Sequence, residues 1–251
     1  MSGFSERQSA FLQEIGVGPL WVRRNIGSSA EESQPVDALS GVASVTVAKI
    51  DPPSAIVEPA VSDMNWVQLK ATVAVCTKCG LCRQRTNTVF GVGDEQASWL
   101  FVGEGPGRNE DAQGEPFVGK AGQLLDNMLL ALRLKRGADA YIANIVKCRP
   151  TDAGGKDRPP SAAESDACLP YLQRQIALIR PKVIVALGKT AALALLQRDP
   201  DTPVSSLRGT VHRYLDVPLI VTYHPAYLLR TPADKRKAWA DLCLARQSIG
   251  A

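Results

Sequence analysis

One stretch, residues 99–122 (WLFVGEGPGRNEDAQGEPFVGKAG), dictates much of what this sequence must become. Residues 99–102 are an apolar, aromatic run that reads as a buried strand. Gly103-Glu104-Gly105-Pro106-Gly107 then breaks it with a turn suited to glycine. A loop of charge and glycine follows and delivers Phe117 and Gly119 to a helix starting near Lys120. A dinucleotide fingerprint needs glycine at the sixth place from Gly103, where Arg108 stands, so that use is excluded. What is left is a strand end whose bare backbone admits a planar ligand, or an ordinary tight turn between strand and helix.

Past residue 63 the pattern alternates. Apolar, β-rich runs at 99–103, 141–146, 183–187 and 219–223 predict strands, and helical patterns fall at 63–75, 122–134, 162–179, 190–197 and 233–248. Such alternation predicts an α/β fold, a three-layer α/β/α sandwich around a central four-stranded parallel sheet. Ligands of open parallel sheets bind beyond the carboxyl ends of the strands. Glu104 lies just past the first strand, Asn144 towards the end of the second, Gly188 past the third and His224 just past the fourth. Four separate segments therefore aim at one crevice.

Two parts are expected: an N-terminal extension over 1–62 and the α/β domain over 63–251. Residues 6–24 put Phe11, Leu12 and Ile15 at helical spacing and end in Leu20-Trp21 before two arginines. From 25 to 62 Ser, Ala, Pro, Val and Glu run without a period, as in a linker. An aromatic, basic peptide on a tether suits docking to a partner; packing back on the domain is the other use. The peptide resembles, over about 20 residues, the N-terminal tail of the psi subunit of bacterial replicative DNA polymerase, which implies a replication-machinery partner.

The net charge is +4, but residues 71–251 hold 24 basic against 17 acidic side chains. That balance suits a polyanion without requiring one. No apolar run reaches the roughly 18 residues of a membrane span, and MSGFSERQSA lacks a cationic segment followed by an apolar one. The expectation is a cytoplasmic monomer, in which six cysteines serve as ligands or buried thiols rather than disulfides.

Cys76 and Cys79 form a two-residue-spaced pair, a common metal clip, and Cys148 and Cys168 lie far along the chain. Two distant thiols can complete a four-ligand set for tetrahedral zinc or for a cubane iron-sulfur cluster, and spacing does not choose between them. Cys82 extends the first pair towards a ferredoxin-like run that no fourth nearby cysteine completes. Cys243, on an amphipathic terminal pattern, reads as a core thiol.

Four segments, Gly103-Glu104-Gly105-Pro106-Gly107, residues 114–122 (GEPFVGKAG), residues 141–150 (YIANIVKCRP) and residues 224–230 (HPAYLLR), together resemble family 4 uracil-DNA glycosylase, in order and over residues 76–247. The resemblance implies a DNA-repair hydrolase that excises uracil and leaves an abasic site. It also implies a [4Fe-4S] cluster on Cys76, Cys79, Cys148 and Cys168, with Cys82 as an extra thiol.

The residue types agree with that chemistry. An everted base needs a stacking face, for which Phe117 is the candidate, and apolar wedges to hold the gap, for which Leu228 and Leu229 are candidates. Asn144 can donate to O4 and accept from N3–H of uracil, a pattern that cytosine reverses. By resemblance, Glu110 crowds C5 and disfavours the methyl of thymine. His224 and the backbone amides of the Gly103 to Gly105 turn can stabilise the anion on O2, and Glu104 can orient the attacking water. Lys147, Arg149, Arg208 and Arg230 are candidate phosphate contacts. Some relatives trap the cleaved sugar on a histidine after the second strand; residues 149–160 contain none, so turnover is expected. The alternatives are an iron-sulfur electron carrier, or a non-catalytic DNA-binding protein of the replisome.

Overall fold

The structure, a computed structural model, describes residues 60–250. The N-terminal peptide and nearly all of the expected linker lie outside the described residues. In chain order the strands are β1 (Val92–Gly93), β2 (Trp99–Gly103), β3 (Ala140–Asn144), β4 (Val183–Leu187), β5 (Val211–Tyr214) and β6 (Val217–Thr222). The helices are α1 (Trp66–Ala74), α2 (Arg108–Gln113), α3 (Lys120–Ala131), α4 (Ala162–Ile179), α5 (Lys189–Leu196), α6 (Val204–Leu207), α7 (Pro225–Arg230) and α8 (Lys235–Ile249).

The sheet runs β1-β3-β2-β4-β6-β5. Its four central strands are mutually parallel, as the apolar runs predict, while β1 and β5 join antiparallel at the two edges and make it six-stranded and mixed. Strands β2, β3 and β4 are buried along their whole length because helices cover both faces. Alternation along β2 divides the core in two. Leu100 and Val102 pack with Leu69 and Val73 of α1, Leu172 and Ile176 of α4, and Ala191 and Leu195 of α5. Trp99 and Phe101 face the other way, onto Leu125 and Leu129 of α3 and Leu242 and Ala245 of α8. Each fully buried leucine contributes about 1.5–3 kcal/mol relative to exposure.

Local chemistry sets the helix starts. Asn65 with Gln68, and Ser161 with Glu164, close reciprocal capping boxes at α1 and α4. Arg158 clamps Glu164 at 2.7 and 2.8 Å, and this pair with the Ser161 backbone holds the carboxyl down to about 2. Helix α3 starts from Gly119 without a side-chain cap, and Glu110 of α2 fixes the chain just before it, accepting from the N–H groups of Val118 and Gly119 at 3.1 and 3.2 Å. Among the described residues no helix is long and apolar enough to cross a membrane.

Candidate active site

The register of the sheet pairs Gly103, the last residue of β2, with Asn144, the last of β3. His224 follows β6 by two residues and Thr190 follows β4 by three, at the same end of the sheet. These ends open into a cleft of about 610 Å3 lined by Glu104, Gly105, Glu110, Phe117, Asn144 and His224, with Pro150, Arg158, Tyr227 and Arg230 among its further walls. The acid, amide, aromatic ring and imidazole expected from the sequence meet in one place.

Asn144 is 2% exposed, and its Oδ1 has no hydrogen-bond partner. A buried acceptor left unpaired costs about 1–3 kcal/mol, which is tolerable where a ligand donor arrives to satisfy it. Gly103 makes the space: a Cβ there would stand 2.4 Å from Asn144 Oδ1 and 2.7 Å from Phe117 Cζ. Behind the amide, Lys147 Nζ donates to the Asn144 carbonyl at 3.0 Å and to Gln175 Oε1 at 2.7 Å.

Phe117 is held at φ 56°, a left-handed conformation that costs a non-glycine residue about 1–3 kcal/mol. Arg136 holds it there, donating to the carbonyls of Pro116 (2.8 Å) and Phe117 (2.9 Å) while Glu115 and Asp126 neutralise the guanidinium. Gly122 is required by the same turn, since a Cβ would fall 1.6 Å from the Phe117 carbonyl oxygen. The ring stacks at 5.6 Å and 29° on the imidazole of His224.

His224 is also the N-cap of α7, its Nδ1 accepting from the N–H of Ala226 at 3.1 Å. That bond places the lone pair on Nδ1 and leaves the proton on Nε2. Burial, with Arg230 nearby, pulls the imidazole down to about 4, so the ring is neutral at pH 7. Thr190 donates from Oγ1 to Glu104 Oε2 and orients that carboxylate.

The cations and wedges sort differently from expectation. Lys147 is a buried lysine committed to Asn144 and Gln175, with burial lowering it to about 8, and it does not reach a phosphate. Arg149 is bound to Asp157 and to the Gly155 carbonyl, so it fastens the loop at the cleft rim instead of standing free. Arg208 pairs with Asp241 at 2.7 Å and lies over the Tyr223 ring, again structural. Leu228 is 1% exposed, packed with Tyr223 and Ala238, whereas Leu229 is 43% exposed; only the second has a wedge's exposure. Arg230 is exposed at the cleft.

Cys76, Cys79, Cys82, Cys148 and Cys168 surround a second, small cavity. Arg85 Nη1 donates to Cys148 Sγ at 3.2 Å and to the Cys76 carbonyl at 2.8 Å; the Lys147 N–H donates to Cys168 Sγ and the Tyr171 hydroxyl to Cys76 Sγ, both at 3.3 Å. Burial pushes the Cys148 thiol up and Cys168 up to about 11, a cost that a bound cationic group offsets. Among the described residues no three Cys, His, Asp or Glu side chains close around a single ion. An all-sulfur donor set spread round a cavity, with N–H and O–H donors aimed at three of its sulfurs, has the chemistry to hold a thiophilic metal or a metal-sulfur group.

Thr190, Arg136, Tyr227 and Arg85 were not foreseen. Gly188 marked the turn that carries Thr190, but no local pattern distinguishes Arg136 or Arg85 from surface charge.

Comparison with known proteins agrees with the geometry. The Uracil DNA glycosylase superfamily matches residues 90–243. The chain is 45% identical over 172 residues to the type-4 uracil-DNA glycosylase of Archaeoglobus fulgidus, covering 66% of this chain and 84% of that one. It is 39% identical over 188 residues to that of Pyrobaculum aerophilum (72% and 93%) and 42% over 164 residues to that of Thermotoga maritima (65% and 82%). A type-5 enzyme of Pyrobaculum aerophilum matches over only 35% of the chain. By sequence over most of the described domain, and with a fold and cleft that suit it, the chain belongs to the type-4 uracil-DNA glycosylases of the uracil DNA glycosylase superfamily.

Proposed function

We propose that the cleft between Phe117, Asn144 and His224 takes an everted uracil from DNA and hydrolyses its N-glycosidic bond, leaving an abasic site for base excision repair. The unpaired, buried Oδ1 of Asn144 carries this reading. It faces a donor in uracil, N3–H, while the amide Nδ2–H2 meets O4; cytosine presents an acceptor at N3 and a donor at position 4, a mismatch worth about 1–3 kcal/mol. Phe117 stacks on the base, and Glu110, at the cleft wall, takes the C5 side and excludes thymine.

As the bond to C1′ breaks, negative charge gathers on O2. The neutral imidazole of His224 donates from Nε2–H, with the backbone N–H groups of the 103–105 turn beside it, and one such donor is worth about 10²–10³ in rate. Glu104, held by Thr190, orients water towards C1′ and its charge favours the electron-poor sugar. Arg230 takes a flanking phosphate and Leu229 fills the gap in the stack.

The donor set of Cys76, Cys79, Cys148 and Cys168 would hold a [4Fe-4S] cluster. Bound there, it supplies a cross-link between segments distant in sequence, and the chemistry on the base belongs to the cleft. The peptide over 6–24 is the proposed contact to replication proteins, and residues 63–251 are the proposed catalytic part; removing 1–62 should leave excision intact. An electron carrier would give the orphaned acceptor of Asn144 no purpose. Incubation with a uracil-containing oligonucleotide followed by alkaline strand cleavage tests the reading: cleavage at uracil, absent with cytosine or thymine at that site, is expected, and no base release under any ionic condition would overturn it.

A further inference from the structure

Five thiols line the small cavity, and a cubane group takes four. Three of the five are anchored: Cys148 by Arg85, Cys168 by the Lys147 N–H and Cys76 by the Tyr171 hydroxyl. Among the described residues no hydrogen bond reaches the sulfur of Cys79 or Cys82, and both, like Cys76, are half-buried, whereas Cys148 and Cys168 are buried.

These two are related by one turn of 3-10 helix. Cys79 is the N-cap of the turn Gly80–Arg83, and the N–H of Cys82 donates to the Cys79 carbonyl at 3.4 Å. Cys79 enters the turn with extended backbone and Cys82 lies within it, one turn on, and both thiols line the same small cavity. Leu81 between them is buried in the core and fixes the turn's rotation, which keeps both sulfurs on the cavity wall.

We propose that Cys82 is a reserve ligand for the iron-sulfur group, able to take the coordination position of Cys79. In the exchange Cys82 gives up its thiol proton and forms one Fe–S bond, the bond to Cys79 breaks, and Cys79 takes up a proton; no electron is transferred. The group would therefore survive loss of Cys79, for instance by alkylation or oxidation of that half-buried thiol, where loss of the buried Cys148 or Cys168 has no substitute. This rests on the cluster assignment above.

The test is the iron and acid-labile sulfide content, with the visible charge-transfer absorption, of full-length protein purified without oxygen. Wild type and Cys79→Ala, Cys82→Ala, Cys148→Ala and Cys79→Ala/Cys82→Ala variants are compared, with far-UV circular dichroism as the folding control. Alanine is used because a serine oxygen can itself ligate iron. Cys79→Ala and Cys82→Ala should each keep the group, and the double variant and Cys148→Ala should lose it. Loss in a folded Cys79→Ala as complete as in Cys148→Ala overturns the proposal; so does loss in Cys82→Ala with retention in Cys79→Ala, or retention in the double variant. If the double variant does not accumulate, a folded, iron-free Cys79→Ala still refutes it. Wild type without iron and sulfide defeats the cluster assignment instead, a result distinguishable from all of these.

Discussion

The main-chain N–H of Ala226 donates to His224 Nδ1, so the bond that starts α7 also selects the tautomer of the imidazole in the cleft. Burial holds this ring at about 4, against 6.5 when unfolded. Between those values the unfolded chain binds a proton that the folded chain refuses. Stability from this group is therefore complete above pH 6.5 and declines as pH falls towards 4, by up to about 3 kcal/mol. His224→Asn keeps an N-cap and removes the titration. Urea unfolding at pH 7 and pH 4.5 should show a smaller difference in the variant than in wild type, and kcat on a uracil oligonucleotide should fall about 10²–10³-fold. An equal pH dependence in both proteins would show that His224 is not the group responsible.

Asn144→Ala separates binding from folding. Removing a desolvated, unpaired acceptor is neutral to stabilising, on the order of 1 kcal/mol, because nothing in the free protein satisfies it. Removing the same acceptor from the complex should cost about 10- to 100-fold in kcat/KM on uracil. Thermal midpoint and kcat/KM measured together decide: a destabilised variant with unchanged kcat/KM means that the amide belongs to the fold and not to the substrate.

Most of this site was legible because its parts sit at strand ends, and strand ends are where apolar runs stop. Gly103, Glu104, Asn144 and His224 could be placed from the runs alone, and the helical pattern over 162–179 matches the observed limits of α4, although its Ser161–Glu164 capping box was not read. The edge strands were not. β1 is two residues long, and β5 turns into β6 through Leu215 and Asp216, both at positive φ but without the glycine that announces such a turn. The residues that position the site, Arg136 and Thr190, act on partners 19 and 86 positions away, a separation that no local pattern records. Lys147 and Leu228 were misplaced for one reason: a basic residue and an apolar pair beside a loop resemble surface features until the burial of each side chain is known.

Arg136 spans two carbonyls and two carboxylates with one planar fork, and the strained Phe117 depends on it. Arg136→Lys presents a point charge that cannot make those bonds together. Lysine and alanine variants should both lose about tenfold in kcat/KM, equivalent to 1.4 kcal/mol, and about 1–3 kcal/mol of stability. Steady-state kinetics and thermal melts provide the check. Full recovery of activity in Arg136→Lys would mean that charge alone is needed and that the clamp on Phe117 is incidental.

Leu228 and Leu229 are neighbours on α7 with opposite fates, one turned into the core and one at the surface beside Arg230. Leu228→Ala should destabilise by about 2–5 kcal/mol, since a buried leucine leaves a cavity, while excision from single strands at low temperature persists. Leu229→Ala should change stability by no more than about 0.5 kcal/mol. Its cost should appear as a lower kcat/KM on duplex DNA, where a base must leave the stack and the gap must be held, and less on a single strand, where little stacking is broken. Measuring both variants on both substrates sets a sharp condition. If Leu229→Ala lowers excision equally from single and double strands, the exposed leucine is not a wedge, and the energy that keeps the base out of the helix must come from the contacts of Phe117 and Asn144 within the cleft.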